Sequence, residues 1–266
     1  MITNIHLVIA TGILAIIGGA AHAAQDEMLT FVQKEADWVS LHIWVPVAAL
    51  DGQIPSGVTP ARLVFDPAEP NPPGTMVDAY LFIRSGRYLV PFAGKNVEEE
   101  MVDAFLVIAV DRRRGQDSAP VADRAFDFYL VEYYSDNQVF RTILQQAGIH
   151  AKQLEGTYVD TTLPNSSEQA EVEISLDQFE NLKLLARSIH SRHYEFSKST
   201  MRLFFSAGEE LRYIEIPLNG DFYYRAASQL ENFIDNSPFD RWQDWRWAQK
   251  DTLIFYTRDS VHIVKK

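Results

Sequence analysis

Two nearly identical octapeptides constrain the fold more than any other stretch. Met76–Ile83 reads MVDAYLFI and Met101–Ile108 reads MVDAFLVI; six of the eight positions are identical and Tyr80/Phe105 is a like pair. Both are rich in strand formers and apolar on both faces, the pattern of interior strands. A single echo is too little for a solenoid, which stacks several repeats. It predicts two similar strands in one sheet. Asp78 and Asp103 hold the same place in the two copies.

The segments around the echo read mostly as β-structure. Met28, Phe31, Val32 and Val39 form a short, imperfect helical stripe. Leu41–Val47 reads as a strand with Pro46 near its end, where a missing N–H costs least. Asp51–Pro60 is a loop, Ala61–Phe65 a short strand and Asp66–Gly74 a proline-rich loop. Ser85-Gly86 predicts a hairpin turn after the first octapeptide. Asp111–Asp123 is a charged loop, and Ala125–Tyr134 is a further aromatic strand. Ser135 with Gln138 resembles a capping box for a helix with Phe140, Ile143, Leu144 and Ala147 on one face and Gly148 as C-cap.

Beyond a polar stretch the pattern alternates strands and helices. Val172, Ile174 and Leu176 alternate with acidic or polar residues, as a half-buried strand does. Asp177 and Glu180 predict a helix burying Phe179, Leu182, Leu185, Ala186 and Ile189. Glu195–Phe205 and Glu210–Leu218 form a hairpin across Ala207-Gly208. Asp221 caps a helix through Tyr223, Ala226, Ala227, Leu230, Phe233 and Ile234, and Ser237-Pro238 starts another. Leu253–Tyr256 and Val261–Val264 close the chain as a hairpin about Arg258-Asp259. The expected fold class is α+β: a β-rich part with a largely antiparallel sheet (24–156), a linker (157–170) and a β-α-β-β-α-α-β-β module (171–266).

Residues 1–23 carry an apolar run, a glycine pair and Ala21-His22-Ala23, the marks of a cleavable signal peptide, although no Lys or Arg precedes the run. The expected location is periplasmic or secreted. The net charge is −12, which disfavours nucleic acid and anionic membranes as partners. There is no cysteine, so thiol catalysis, zinc–thiolate sites and disulfides are excluded. No cofactor is expected.

Four clusters carry residue types that can do chemistry or bind. His190, His193 and Glu195 carry ligand types but lack the HExxH order of zinc hydrolases, and read as solvated residues near a helix end. Ser135-Asp136-Asn137 spells a β-lactamase triplet without its Ser-x-x-Lys or KTG partners, and reads as a helix N-terminus. Asp78 and Asp103 would suit acid–base work if brought together; otherwise they sit solvated or pair with an arginine such as Arg84 or Arg87. Arg241, Trp242, Trp245, Arg246 and Trp247 fall on the third helix and are the candidate partner-binding residues, because tryptophan and arginine dominate binding hot spots; the bland alternative is a helix docked on the core, and Trp247 is the ring expected to be exposed if Phe239, Trp242 and Trp245 face the core. The expected function is non-enzymatic: an exported binding or assembly protein, of inhibitor or immunity type, that recognises another envelope protein. The competing expectation is an envelope glycan hydrolase using paired carboxylates.

Overall fold

A 20-residue strand, β1 (Glu27–Pro46), holds the architecture together, because it pairs along its length with the strand that follows and with the last strand of the chain. The computed structural model describes residues 27–61, 75–111, 125–160, 170–176, 182–188, 191–195, 199–218, 221–226, 229–231, 242, 244–247 and 253–266. After β1 come β2 (Met76–Phe92), β3 (Lys95–Ala109), β4 (Ala125–Ser135), the helix α1 (Gln138–Gln146), β5 (Ala151–Gln153), β6 (Gly156–Asp160), β7 (Ala170–Leu176) and β8 (Leu182–Ser188). Then follow β9 (Ser191–Glu195), β10 (Ser199–Ala207), β11 (Glu210–Leu218), β12 (Asp221–Ala226), β13 (Gln229–Glu231), β14 (Arg246–Trp247) and β15 (Leu253–Lys265). The order β1-β2-β3-β4-β10-β11-β15 returns to β1 and closes a seven-stranded barrel. Its ladders are antiparallel except β4–β10, which is parallel. Closure leaves the barrel strands without a long free edge.

The α+β expectation is therefore corrected to a closed β-barrel carrying one α-helix among the described residues. Part of the expected helix from Phe179 is strand β8, and part of the one from Asp221 is β12 and β13. Short apolar runs fit both periods, and the ladder decides between them. In β8, Leu182, Leu184 and Ala186 stand opposite Leu176, Ile174 and Val172 of β7. The stripe from Met28 to Val39 is the first half of β1. The expected hairpins at Ser85-Gly86 and Arg258-Asp259 do not form; β2 and β15 run straight through them. Gly86 serves another purpose. β1 holds one extra residue, Lys34, between the pairs Gln33–Tyr88 and Glu35–Arg87. A Cβ on Gly86 would run into the Glu35 carbonyl oxygen and Ala36. Only glycine lets the bulged strand come this close.

The echoed octapeptides do lie side by side, in β2 and β3, and the hairpin joining them turns at Ala93-Gly94, both with positive φ. The 199–218 hairpin forms as expected, and so does the helix, though its N-cap is Asn137 rather than Ser135. Strands from both sides of the 157–170 stretch build the barrel. The signal segment lies outside the described residues, and so do most of 61–65 and the start of the third helix. Among the described residues no helix is long and apolar enough to cross a membrane.

Alternation along the barrel strands makes two cores. Phe31, Trp38, Phe82, Phe105, Tyr133, Met201 and Ile214 fill the interior, and Phe140, Ile143 and Leu144 of α1 close one end of it. Val39, Leu41, Ile43, Val77, Ile83 and Leu106 point outward instead. They are covered by Ile174 and Leu176 of a second sheet, β13-β8-β7-β6, and by Trp242. Burying each such aliphatic side chain is worth about 1.5–3 kcal/mol.

Candidate functional site inside the barrel

The inward face of β1 reads Trp38, Ser40, His42, Trp44; that of β2 reads Asp78, Tyr80, Phe82, Arg84. Polar residues on an inward face are costly unless paired, and here they form two layers. The first lies at the end of the barrel opposite α1. His42 Nε2 sits 2.5 Å from Asp78 Oδ1, and the imidazole stacks on its cross-strand neighbour Tyr80 at 4.5 Å and 9°. Trp44 meets the imidazole edge-on, and Tyr80 leads down to Phe82 and Phe128. The side chains of His42 and Asp78 are 10% and 25% exposed, so solvent reaches this pair.

The second layer is sealed. Arg84 stands between Trp38 of β1 and Asp103 of β3 in the ladders, and the Arg84 and Asp103 side chains are 1% and 0% exposed. Arg84 Nε donates to Asp103 Oδ1 at 2.6 Å, and Nη2 donates to Asp103 Oδ2 and to Tyr133 Oη. The Tyr133 hydroxyl donates in turn to Asp103 Oδ2 at 2.6 Å. The guanidinium lies 4.6 Å from the centre of the Trp38 ring and 4.8 Å from that of Phe105. Burial alone would lower the pKa of Arg84, but Asp103, Tyr133 and Tyr88 outweigh it and hold the side chain charged. Burial also pushes the Tyr133 and Tyr88 hydroxyls well above their usual range. Next to this layer, towards α1, are Tyr88, Phe31 and His262.

Asp78 and Asp103 are thus not brought together. Asp78 is six positions along β2 from Arg84, the ladder partner of Asp103, which puts the carboxylates about 20 Å apart at ~3.3 Å per residue. That separation exceeds the roughly 5–10 Å that glycoside hydrolysis needs. Asp103 instead has the arginine partner anticipated for it. The tryptophan cluster is not an exposed helix. Trp242 is fully buried and its Nε1 donates to Gln53 Oε1 at 2.8 Å; Trp245 packs half-buried on the outer core. Arg246 and Trp247 form the two-residue strand β14 against Trp44 and Ile43 of β1, and Arg241 lies outside the described residues. His193 and Glu195 lie on strand β9, so no helical turn joins them to His190, which is outside the described residues. No group of metal-ligand side chains occurs among the described residues. Asn137 caps α1, accepting from the Phe140 N–H, while Asp136 accepts from the Val102 N–H.

His42 was not singled out from sequence. The available signal was parity: in β1 it shares a face with Trp38, Ser40 and Trp44, and that face holds the polar groups of the otherwise apolar segment Trp38–Pro46. A cleft of about 550 Å³ lies elsewhere, on the outer wall around Glu35, Asp37, Ser85, Arg87 and Glu100. Its arginine is tied to Glu35 and Glu98, and it opens away from both polar layers.

No protein-family model matches the chain and no curated protein matches it in sequence. Solved structures do match its fold. The enduracididine biosynthesis enzyme MppR with bound HEPES superposes with a TM-score of 0.52 at 8% identity, covering 90% of this chain and 86% of that one. The same enzyme in complex with pyruvate gives 0.51 at 9% identity, over 90% and 88%. An acetoacetate decarboxylase-like enzyme from Sphingomonas wittichii RW1 gives 0.49 at 12% identity, over 90% and 91%. At these identities the first two establish the shared fold. The expectation of a non-enzymatic protein that recognises an envelope partner is corrected accordingly. The exposed aromatic helix it rested on is absent where the structure describes it, and the fold is one that an enzyme uses. The hydrolase alternative falls with the 20 Å between its carboxylates.

Proposed function

We propose that the protein is an enzyme that transfers a proton at the carbon next to the carbonyl of a small oxo acid, at the end of the barrel opposite α1. The observation that carries this reading is the His42–Asp78 pair: a 2.5 Å contact on the inward face, half-screened from solvent, above an aromatic floor. An imidazole held by a carboxylate accepts a proton readily, because the carboxylate fixes the ring and stabilises the imidazolium that forms. The imidazole of His42 is the group that exchanges the proton, with Asp78 against its Nε2. Tyr80, Phe82 and Phe128 keep water from the far side of the substrate. Pyruvate, bound by MppR in one structure of the same fold, gives the substrate class.

Some carbonyl enzymes form an imine on a desolvated lysine, as acetoacetate decarboxylase does. Among the lysines whose side chains are described, Lys34 and Lys152 pair with Asp259 and Glu132 at the surface, Lys95 and Lys266 are exposed, and Lys265 bonds Glu215. The proposed step runs through His42 and invokes no imine. The test is deuterium uptake by the methyl group of pyruvate, and by the α-carbon of longer 2-oxo acids, followed by NMR in D2O. Catalysed exchange that falls about 100-fold or more in His42→Gln supports the reading. Exchange that is absent for every acid, or unchanged in His42→Gln, removes it.

A further inference from the structure

The sealed layer contains more hydrogen-bonding capacity than its ion pair uses. Arg84 spends Nε and Nη2 on Asp103 and Tyr133, yet Nη1 is buried and meets no acceptor among the described residues. The Tyr88 hydroxyl and both ring nitrogens of His262 are likewise buried and unmatched. These groups are neighbours: the Arg84 guanidinium is 5.6 Å from the centre of the Tyr88 ring, which lies 6.4 Å from that of His262. Leaving a buried polar group unmatched costs roughly 1–3 kcal/mol, and here at least three such groups are neighbours. A guanidinium N–H, a phenol O–H and an imidazole N–H can all donate to one acceptor; Gln33 Oε1 is buried and unmatched as well.

We propose that this layer is a binding site for a compact monoanion, of the size of formate or chloride, held by Arg84 Nη1, Tyr88 Oη and His262, and that the ion enters together with one proton. The size follows from the walls. Phe31, Tyr88, Phe140 and Trp38 are all buried to 2% exposure or less, and only a compact ion suits a layer walled so closely. The proton follows from charge. Arg84 and Asp103 already neutralise each other, so an anion alone would add an unbalanced buried charge. His262 is the group that can supply the balance. From β1 it faces Phe31 and the uncharged Gln33; from β2, Arg84 and Tyr88; beyond them stand Asp103 and Tyr133. From α1 and β11 the neighbouring core residues are the apolar Phe140 and Ile214. Burial first, and Arg84 second, hold its imidazole neutral when the site has no anion. An anion beside the ring reverses the second effect and favours the imidazolium. This site is separate from the His42–Asp78 pair and does not depend on its chemistry.

The experiment uses the full chain with potassium formate and chloride, read by thermal unfolding and by calorimetry in buffers of different ionisation heat. The expected result is saturable stabilisation, with affinity rising about tenfold per unit fall in pH and one proton taken up per ion. Tyr88→Phe removes only the unmatched hydroxyl, so the variant folds and its affinity drops about ten- to hundredfold. Bromide soaked into crystals should give an anomalous peak against Arg84 Nη1. Non-saturable stabilisation equal in Tyr88→Phe, binding without proton uptake, or water alone at Arg84 Nη1 would each overturn the proposal.

Discussion

Asp78 and Asp103 occupy the third position of the same octapeptide, yet they end in opposite circumstances. Asp78 lies towards the end of the barrel opposite α1, partly solvated, against a histidine. Asp103 lies in the sealed centre, locked to an arginine and a tyrosine. Antiparallel pairing explains the difference. The two copies run in opposite directions past each other, so equal sequence positions are carried to different heights in the barrel. An aspartate among apolar neighbours is thus a position, and the level it reaches decides whether it is sealed in the core or left in reach of solvent.

The largest effect that can break this contrast is on stability. Asp103→Asn should destabilise the fold by about 3–5 kcal/mol in urea unfolding, because it strands a buried guanidinium. Replacing Arg84 and Asp103 together by Met and Leu should recover most of that loss. A loss for the double change as large as for the single one would mean that the pair itself, rather than its uncompensated half, holds the barrel. Trp242→Ala should cost a similar amount, roughly 3–5 kcal/mol, since it empties the outer core beside Gln53. Full stability in that variant would restore the tryptophan to the surface.

How much of this contrast the sequence shows depends on the range of the contacts. Strands with a clear pattern, such as 76–83, 101–108 and 125–134, could be read directly, and so could α1. Barrel closure could not, because it pairs Glu27 with Lys265, two residues at opposite ends of the chain. Leu182, Leu185 and Ala186 suit a helix as well as a strand, and only β7 resolves them. For the site, both aspartates and Arg84 stood out as charges inside apolar runs. His42 did not, because its partner is a diagonal neighbour on the next strand rather than a residue nearby in sequence.

A smaller effect separates the two layers by pH. The pKa of folded His262 is well below its ordinary 6.5, so below that pH the unfolded chain binds more protons than the folded one. Its contribution to stability is complete above about pH 6.5 and is lost as pH falls towards the folded value, by up to about 1.4 kcal/mol per pH unit. In His262→Leu the acid limb of the stability curve should flatten. An unchanged limb would show that the acid loss arises elsewhere. Added formate should oppose the loss in the parent chain and have no such effect in the variant.

The smallest expected change in stability is also the most informative. Asp78→Asn removes a partly solvated charge, so unfolding should shift by about 1 kcal/mol or less. The account's central claim is that this aspartate does chemistry while its twin does structure. The direct measurement is the rate at which Asp78→Asn exchanges the methyl protons of pyruvate for deuterium, under conditions where the variant is fully folded. The account predicts a loss of about 100-fold, because the imidazole is no longer held or its charge stabilised. Exchange at the parent rate in a folded Asp78→Asn would contradict it.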